Sequence, residues 1–458
     1  MTDIQNVLPS HDDFWFLPLG GTGEIGMNLN LYGHGGAWIM VDCGSTFDVP
    51  LDQAKDSDKN AKRESVVIPN YDFAKQHKDK LVAILVTHAH EDHIGALTTI
   101  WPHLQCPIYA TAFTAEIIRR KFINEELYYE LPIVIIDSGE QLDIGPFNVR
   151  WISITHSMIE TQSLLITTAK GTVFHTADWK MDETPILGSR FKSAKFKRLA
   201  NENVLAMVCD STNAKQPGHT ESEADCAAGL QKLIQKQHGR VVVSCFSSNL
   251  ARLVTLIKIA NNTGRYVSLF GRAMENMVSA ARTVGIWPDE LSTIPNRHIG
   301  YLPKEEVMII ATGSQGENNA ALDKFSRRAN RHCDLDAGDT VIFSSVIIPG
   351  NERSIEKLIS RLQQLSINVF HDATFDDCIH ASGHPRQQDL FDMYRWVKPN
   401  YAVPTHGEVS HMALNASISY AAGVSQHLTG VNGDLFCLTP EFKKIDNLVQ
   451  TGRIAQKR

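Results

Sequence analysis

In His88-Ala89-His90-Glu91-Asp92-His93, the side chains of His88, His90, Asp92 and His93, all able to ligate a metal, fall within six residues. Imidazole nitrogens with a carboxylate suit Zn²⁺ or Mn²⁺ far better than Ca²⁺, which takes oxygen donors. Alternate side chains of an extended segment point one way, so His88 and His90 can serve one cation. Asp92 and His93, past the bend, can reach a second. The cluster directly follows the apolar run Leu81-Val82-Ala83-Ile84-Leu85-Val86-Thr87, so a buried strand would hold it at its open end. A histidine-rich surface loop is the bland alternative, but only 19 of 458 residues are His, which makes this density hard to reach by chance.

Two cations need more ligands than one segment supplies. His156 closes Trp151-Ile152-Ser153-Ile154-Thr155, Asp178 follows Thr172 to Ala177, and His406 follows Tyr401-Ala402-Val403-Pro404-Thr405. Each is weak alone, because a strand-end His is more often packed or solvated. Together, ligand-type residues ending four apolar runs describe one rim of one sheet, and Asp178 can bridge two cations where a His cannot.

With these residues the chain resembles the metallo-β-lactamase fold, and more narrowly the beta-CASP nucleases of the ribonuclease J family. His88, His90, Asp92 and His93 match the HxHxDH signature, with His156, Asp178 and His406 as the later ligands in order. Cys209-Asp210-Ser211-Thr212-Asn213-Ala214, Phe270-Gly271-Arg272, Thr312 to Glu317, Ile348 to Glu352, His380-Ala381-Ser382-Gly383-His384 and Pro404 to Glu408 extend the match from about Phe14 to about Glu408. The resemblance implies an α/β fold: an αββα metallo-β-lactamase sandwich with an inserted α/β beta-CASP domain on a parallel sheet. It implies two divalent ions per chain, Zn²⁺ before Mn²⁺. His88, His90, His156 and Asp178 would hold one, and Asp92, His93, Asp178 and His406 the other. Asp92 would orient the attacking water, and His384 would assist the leaving 3′ oxygen, against a purely structural His in a Gly-Ser loop. Asp210 would hydrogen-bond a ligating imidazole, as would Asp42 on weaker grounds. His380, Ser382 and Gly383 would meet the substrate's phosphate backbone.

Phe246-Ser247-Ser248-Asn249 ends a strand and opens a helix. Ser247, Ser248 and Asn249 therefore suit a 5′-monophosphate pocket, and an ordinary N-cap equally well. Four departures from the family pattern stand out. Glu160 stands where an acid follows a proline in relatives, and Trp179 replaces Phe after Asp178. The loop from Thr46 to Ser65 is long, its charged part Asp52 to Glu64 reading as an exposed extension. The sequence stops at Arg458, which leads us to expect that the C-terminal domain of many relatives is lacking.

Strand patterns dominate to about residue 210, with few helices: Phe14 to Leu19, Asn28 to Tyr32 and Ala37 to Val41 open the chain. Thr220-Glu221-Ser222-Glu223 reads as a capping box. Helix and strand then alternate, as a parallel sheet requires. The expected division is 1–212 and 373–448 for the metallo-β-lactamase domain, 213–372 for the insertion and 449–458 for a tail. Gly21-Thr22-Gly23-Glu24-Ile25-Gly26 spells a dinucleotide fingerprint, but Asn28-Leu29-Asn30-Leu31-Tyr32 alternates as a strand rather than opening the required helix. A tight loop beside the metals is the better reading.

The net charge of −7 argues mildly against nucleic acid, although bound cations would supply positive charge at the scissile phosphate. Three basic clusters (119–121, 192–198 and 327–331) read first as solvated faces. Eight scattered cysteines, strand-sized apolar runs and no basic-apolar leader lead us to expect a cytoplasmic protein with no membrane partner. The leading expectation is a ribonuclease acting 5′ to 3′, with endonuclease activity also open, on RNA favouring 5′-monophosphorylated ends. A homodimer is compatible with this. The alternatives are a DNA-directed beta-CASP nuclease, which His406 disfavours, a non-catalytic RNA-binding scaffold, and, weakest, a small-ester hydrolase.

Overall fold

Strands that alternate apolar and polar residues need one covered face, and unbroken apolar strands need two. The computed structural model describes residues 7–48, 65–348 and 350–456, so the whole of the expected extension from Asp52 to Glu64 lies outside the described residues. One sheet has eight strands, in the order Lys443–Ile445, Leu435–Thr439, Phe14–Gly20, Leu29–His34, Ala37–Val41, Leu81–Leu85, Ile108–Ala110 and Ile133–Ile135. A second has seven, in the order Gln141–Ile144, Phe147–Ser153, Gln162–Thr168, Gly171–His175, Val204–Asp210, Tyr401–Thr405 and Gln426–His427. Phe16, Ile39 and Leu85 of the first meet Trp151, Ile166, Val208 and Val403 of the second in one buried cluster. On the outer faces, Leu17, Met40 and Ile84 pack under Leu97, Ile100, Phe113 and Ile117. Leu165, Phe174 and Met207 pack under Phe196, Leu390, Met393 and Tyr394. This is the αββα metallo-β-lactamase sandwich.

The inserted beta-CASP domain is built on five parallel strands, in the order Tyr266–Phe270, Val307–Ala311, Val241–Ser244, Thr340–Phe343 and Asn368–Phe370. Val241 and Val243 face one apolar cluster and Val242 the other, so this all-apolar strand is covered on both sides.

Several sequence expectations need correction. The ligand-bearing strands do not share one sheet: His88 leaves Leu81–Leu85 of the first, whereas His156, Asp178 and His406 follow strands of the second. Apolar runs reveal strand ends but not which of two facing sheets owns them. The first 210 residues are richer in helix than expected, with Leu97–Leu104 and Ala112–Asn124 forming the outer layer. The capping box sits two residues later, where Ser222 accepts from the Asp225 amide and Asp225 from that of Ser222. Thr220 is drawn instead to Asp389, donating through its amide at 2.9 Å and its hydroxyl at 2.9 Å. Arg453–Ala455 is a paired strand, antiparallel to Ser65–Pro69. Glu160 accepts the Phe113 amide at 2.9 Å at the start of the helix Ala112–Asn124. Several of the basic residues are engaged internally: Arg120 with Glu116 and Asn276, Lys121 with Glu91, Lys195 with Ser153, Lys197 over the Trp396 ring and Arg327 with Asp323.

A buried charge network joins the lobes. Arg252, 1% exposed, grips both Glu223 oxygens at 3.2 Å and donates to the Ser344 carbonyl at 3.1 Å. Ser344 Oγ donates to the Ile379 carbonyl at 2.6 Å, one residue before His380. Lys180, two residues past Asp178, lies 3.6 Å from Glu223 and 3.1 Å from Asp182. Removing one partner of such a buried pair strands the other. Arg252→Met should therefore lower unfolding stability by about 3–5 kcal/mol, read as a shifted urea midpoint at unchanged m-value.

Candidate metal centre

Four turns leave the sandwich at the same end. The turn after Leu81–Leu85 carries His88 and His90, and the short helix Glu91–Ile94 then turns Asp92 and His93 inward. Asp42, Ala177 and His406 each adopt a left-handed backbone, with φ of 64°, 53° and 49°. For a residue with a Cβ that conformation costs about 1–2 kcal/mol, and here it bends three strand exits around one point. Gly26 belongs to the glycine loop expected beside the centre. Its φ is +84°, and a Cβ there would lie 3.5 Å from Asp92 Cβ. The next element is the strand Leu29–His34, so no dinucleotide-binding helix follows.

Two donor groups converge, with ligating atoms in each within 4.8 Å of one another: His88, His90, His156 and Asp178, then Asp92, His93, Asp178 and His406. A third, Asp178, Asp210, His384 and His406, overlaps the second. In the first group, His88 Nε2 and His156 Nε2 lie 3.0 and 3.1 Å from His90 Nδ1. The Gly383 carbonyl accepts from His156 Nδ1 at 2.6 Å, which fixes the proton there and leaves Nε2 its lone pair. Asp42 does the same for His93, taking its Nδ1 proton at 2.7 Å, while Thr87 holds Asp42 through amide and hydroxyl. His93 Nε2 is then left 3.1 Å from Asp178 and 3.5 Å from Asp92. His406 Nε2 is buried without a hydrogen-bond partner, 3.4 Å from Asp92. Ring nitrogens crowded on one another and an orphaned buried nitrogen are what a pair of divalent cations would satisfy, so the residues fit the expected metals.

The electrostatics of the metal-free arrangement say the same. Burial and neighbouring imidazoles push His88 well below its ordinary range, burial takes His90 down to about 4, and burial and His90 lower His156. Burial opposes charge on His93 and His406 too, but Asp178 and its neighbouring carboxylates raise both well above that range. Burial likewise opposes the charge on Asp178 and Asp92, yet the surrounding imidazoles hold both carboxylates well below theirs.

Family models match in three blocks: a beta-lactamase superfamily domain over residues 37–199, a ribonuclease J beta-CASP domain over 238–362, and a Zn-dependent metallo-hydrolase RNA specificity domain over 373–427. Ribonuclease J of Sinorhizobium meliloti is 40% identical over 447 residues, covering 97% of this chain and 77% of that one. The chain belongs to the ribonuclease J family. Ribonuclease J of Helicobacter pylori strain J99 is 34% identical over 95% of this chain and 62% of its own length. That of Thermus thermophilus is 33% identical over 95% of this chain and 76% of its own. A crystal structure of an Enterococcus faecalis V583 protein of unknown function shares the fold, with a TM-score of 0.66 at 16% identity over 93% of this chain and all of that one.

In the third donor group of this ribonuclease J family member, His384 Nδ1 meets Asp210 Oδ2 at 2.8 Å. Asp210 also takes a longer hydrogen bond from His406 Nδ1, at 3.4 Å, so it touches an expected ligating imidazole while its shorter contact is to His384. Burial disfavours a charged His384, but Asp210 raises its pKa above the usual value. Gly383, expected at the substrate, packs against His156: a Cβ there would fall 2.6–2.7 Å from the His156 ring. Ser382 Oγ accepts from Asn213 at 2.8 Å. Burial and Arg252 lower His380 to about 3, so it is neutral; both its ring nitrogens are buried without a well-formed hydrogen bond, the Ser344 backbone lying beside it. Asn249 caps the helix Leu250–Asn262, accepting from the Arg252 amide at 2.9 Å, with Ser247 and Ser248 half-exposed in the turn before it. The sequence reading missed Asn28, 3.1 Å from His93 Nε2, and Thr212, 2.9 Å from His406 Nδ1. Single polar residues of these types carry no spacing signal.

Protons on His93 and His406 occupy the place of metal charge, so metal uptake must expel them. Titrating the metal-free protein with Zn²⁺ near neutral pH should release protons, seen as a calorimetric heat that scales with buffer ionisation enthalpy. Affinity should weaken as pH falls, because a raised imidazole pKa keeps the proton competitive.

Proposed function

We propose that this protein is a metal-dependent ribonuclease that hydrolyses RNA phosphodiester bonds, acting 5′ to 3′ and able to cut internally. The observation that carries the reading is two buried donor groups sharing Asp178 beside the His384–Asp210 pair, in a chain of the ribonuclease J family. His88, His90, His156 and Asp178 would hold one cation and Asp92, His93, Asp178 and His406 the other, Zn²⁺ fitting this nitrogen-rich set ahead of Mn²⁺. When bound, the cations neutralise phosphoryl oxygen charge and make a water acidic enough to lose a proton near neutral pH.

The side chains do the rest. Asp92, the more exposed of the shared-site carboxylates at 30%, orients the attacking water and takes its proton. His384, 20% exposed and steadied by Asp210, gives a proton to the leaving 3′ oxygen. Neutral His380 and the Ser382 hydroxyl contact the phosphate backbone. Ser247, Ser248 and Asn249, at the N-terminus of a 13-residue helix, receive a 5′-monophosphate. The same reading divides the chain at about 213 and 372. It places the protein in the cytoplasm; among the described residues no helix is long and apolar enough to cross a membrane.

Asp92→Ala and His93→Ala should each abolish cleavage while far-ultraviolet circular dichroism stays unchanged. Full activity in either would remove the two-metal reading. His384→Ala should reduce kcat by about 10²–10⁴-fold and leave bound metal, measured by atomic absorption, unaltered. Substrate and direction are tested by supplying Zn²⁺ or Mn²⁺ with end-labelled RNA bearing 5′-monophosphate or 5′-triphosphate, and DNA of the same sequence. Mononucleotides released from the 5′-monophosphorylated RNA are expected; preferential digestion of DNA would overturn the assignment.

A further inference from the structure

Cys378 and Cys226 are a thiol pair that the proposed hydrolysis does not use. Of the eight cysteines Cys378 alone is partly exposed; the other seven are buried. It lies in the segment leading to the His380–His384 loop, and its Sγ donates to the His380 carbonyl at 3.2 Å. Cys226 lies on the helix Glu223–Ile234, and Gly229, one turn on, presses directly on the Cys378 backbone: a Cβ there would lie 1.9 Å from the Cys378 carbonyl oxygen and 2.8 Å from its carbon. Helix and segment are therefore in backbone contact, with Cys226 on the face that meets Cys378.

We propose that Cys226 and Cys378 form a reversible modification site, an intramolecular disulfide made by exchange with a low-molecular-weight disulfide such as oxidised glutathione. The Cys378 thiolate attacks one sulfur of the oxidant and releases its first thiolate. The Cys226 sulfur, giving up its proton, then attacks Cys378 of the mixed disulfide and releases the second. Two protein thiols lose two electrons and two protons, and one small disulfide becomes two thiols.

The surroundings suit that order of events. A hydrogen bond from the Cys226 thiol, helped by the Arg252 guanidinium, lowers the pKa of Cys378 below the ordinary thiol value, whereas burial keeps Cys226 protonated until the second step. Drawing Cys378 Sγ toward the helix breaks its bond to the His380 carbonyl. The disulfide thus pulls on the loop that carries Ser382, the Gly383 carbonyl behind His156, and His384.

The test treats the metal-loaded protein with oxidised glutathione, blocks remaining thiols by alkylation, and maps peptides by mass spectrometry without reduction. A Cys226–Cys378 linked peptide that dithiothreitol removes is expected, together with faster hydrogen exchange of the 379–384 amides. Cleavage of RNA should be lost in parallel and restored by dithiothreitol. Cys378→Ser and Cys226→Ala should each keep the starting activity and be immune to the oxidant; because Cys226 is buried, Cys378→Ser decides if the other variant folds poorly. Glutathione retained on Cys378 without closure, linkage of any other pair, or no thiol lost would each overturn the proposal. Peptide mapping and exchange need no RNA, so their failure is distinguishable from failure of the ribonuclease reading.

Discussion

Asp178 belongs to all three donor groups and is 2% exposed, a carboxylate with almost no water to stabilise it. A buried charge of that kind survives only if opposite charge surrounds it. Asp42, Asp92 and Asp210 crowd the same few ångströms, so imidazolium protons on His93 and His406 are the compensation the polypeptide itself can offer. The arrangement is built for more positive charge than the side chains carry. That requirement explains the left-handed turns at three strand exits, the carboxylate behind His93 and the carbonyl behind His156: each fixes a donor where a cation would be.

The second consequence is mechanical. Because the donors come from two facing sheets, the sandwich must hold its strand ends in register before a centre exists. The inserted domain adds a third constraint, since Ser344 and Arg252 grip the backbone just before His380. Lys180, on the turn after Asp178, reaches into the same network. The loop bearing His384 is thereby tied to both lobes. Chemistry at the rim and packing between the domains are coupled through a few buried charges.

What the sequence disclosed follows from how locally each feature is encoded. His88 to His93 was readable because the donors are contiguous, and the parallel five-stranded sheet because helices and apolar strands alternate at short range. Sheet membership of His156, Asp178 and His406 was not, since an apolar run carries no mark of the sheet it joins. The role of Gly383 depends on the approach of His156 from 227 residues away. That Asp210 sits between His384, at 2.8 Å, and His406, at 3.4 Å, is decided by loop placement that no local pattern encodes. Thr212, Asn28 and the Arg252 network are single polar residues whose partners only the folded chain supplies.

The account rests most heavily on two cations meeting at Asp178. Anomalous scattering at the zinc absorption edge, from crystals grown with excess Zn²⁺, tests it most directly. Two peaks flanking the Asp178 carboxylate are predicted, one bounded by His88, His90 and His156, the other by Asp92, His93 and His406. A single peak confined to the Asp210–His384 side, or side chains turned away from an empty centre, would contradict it.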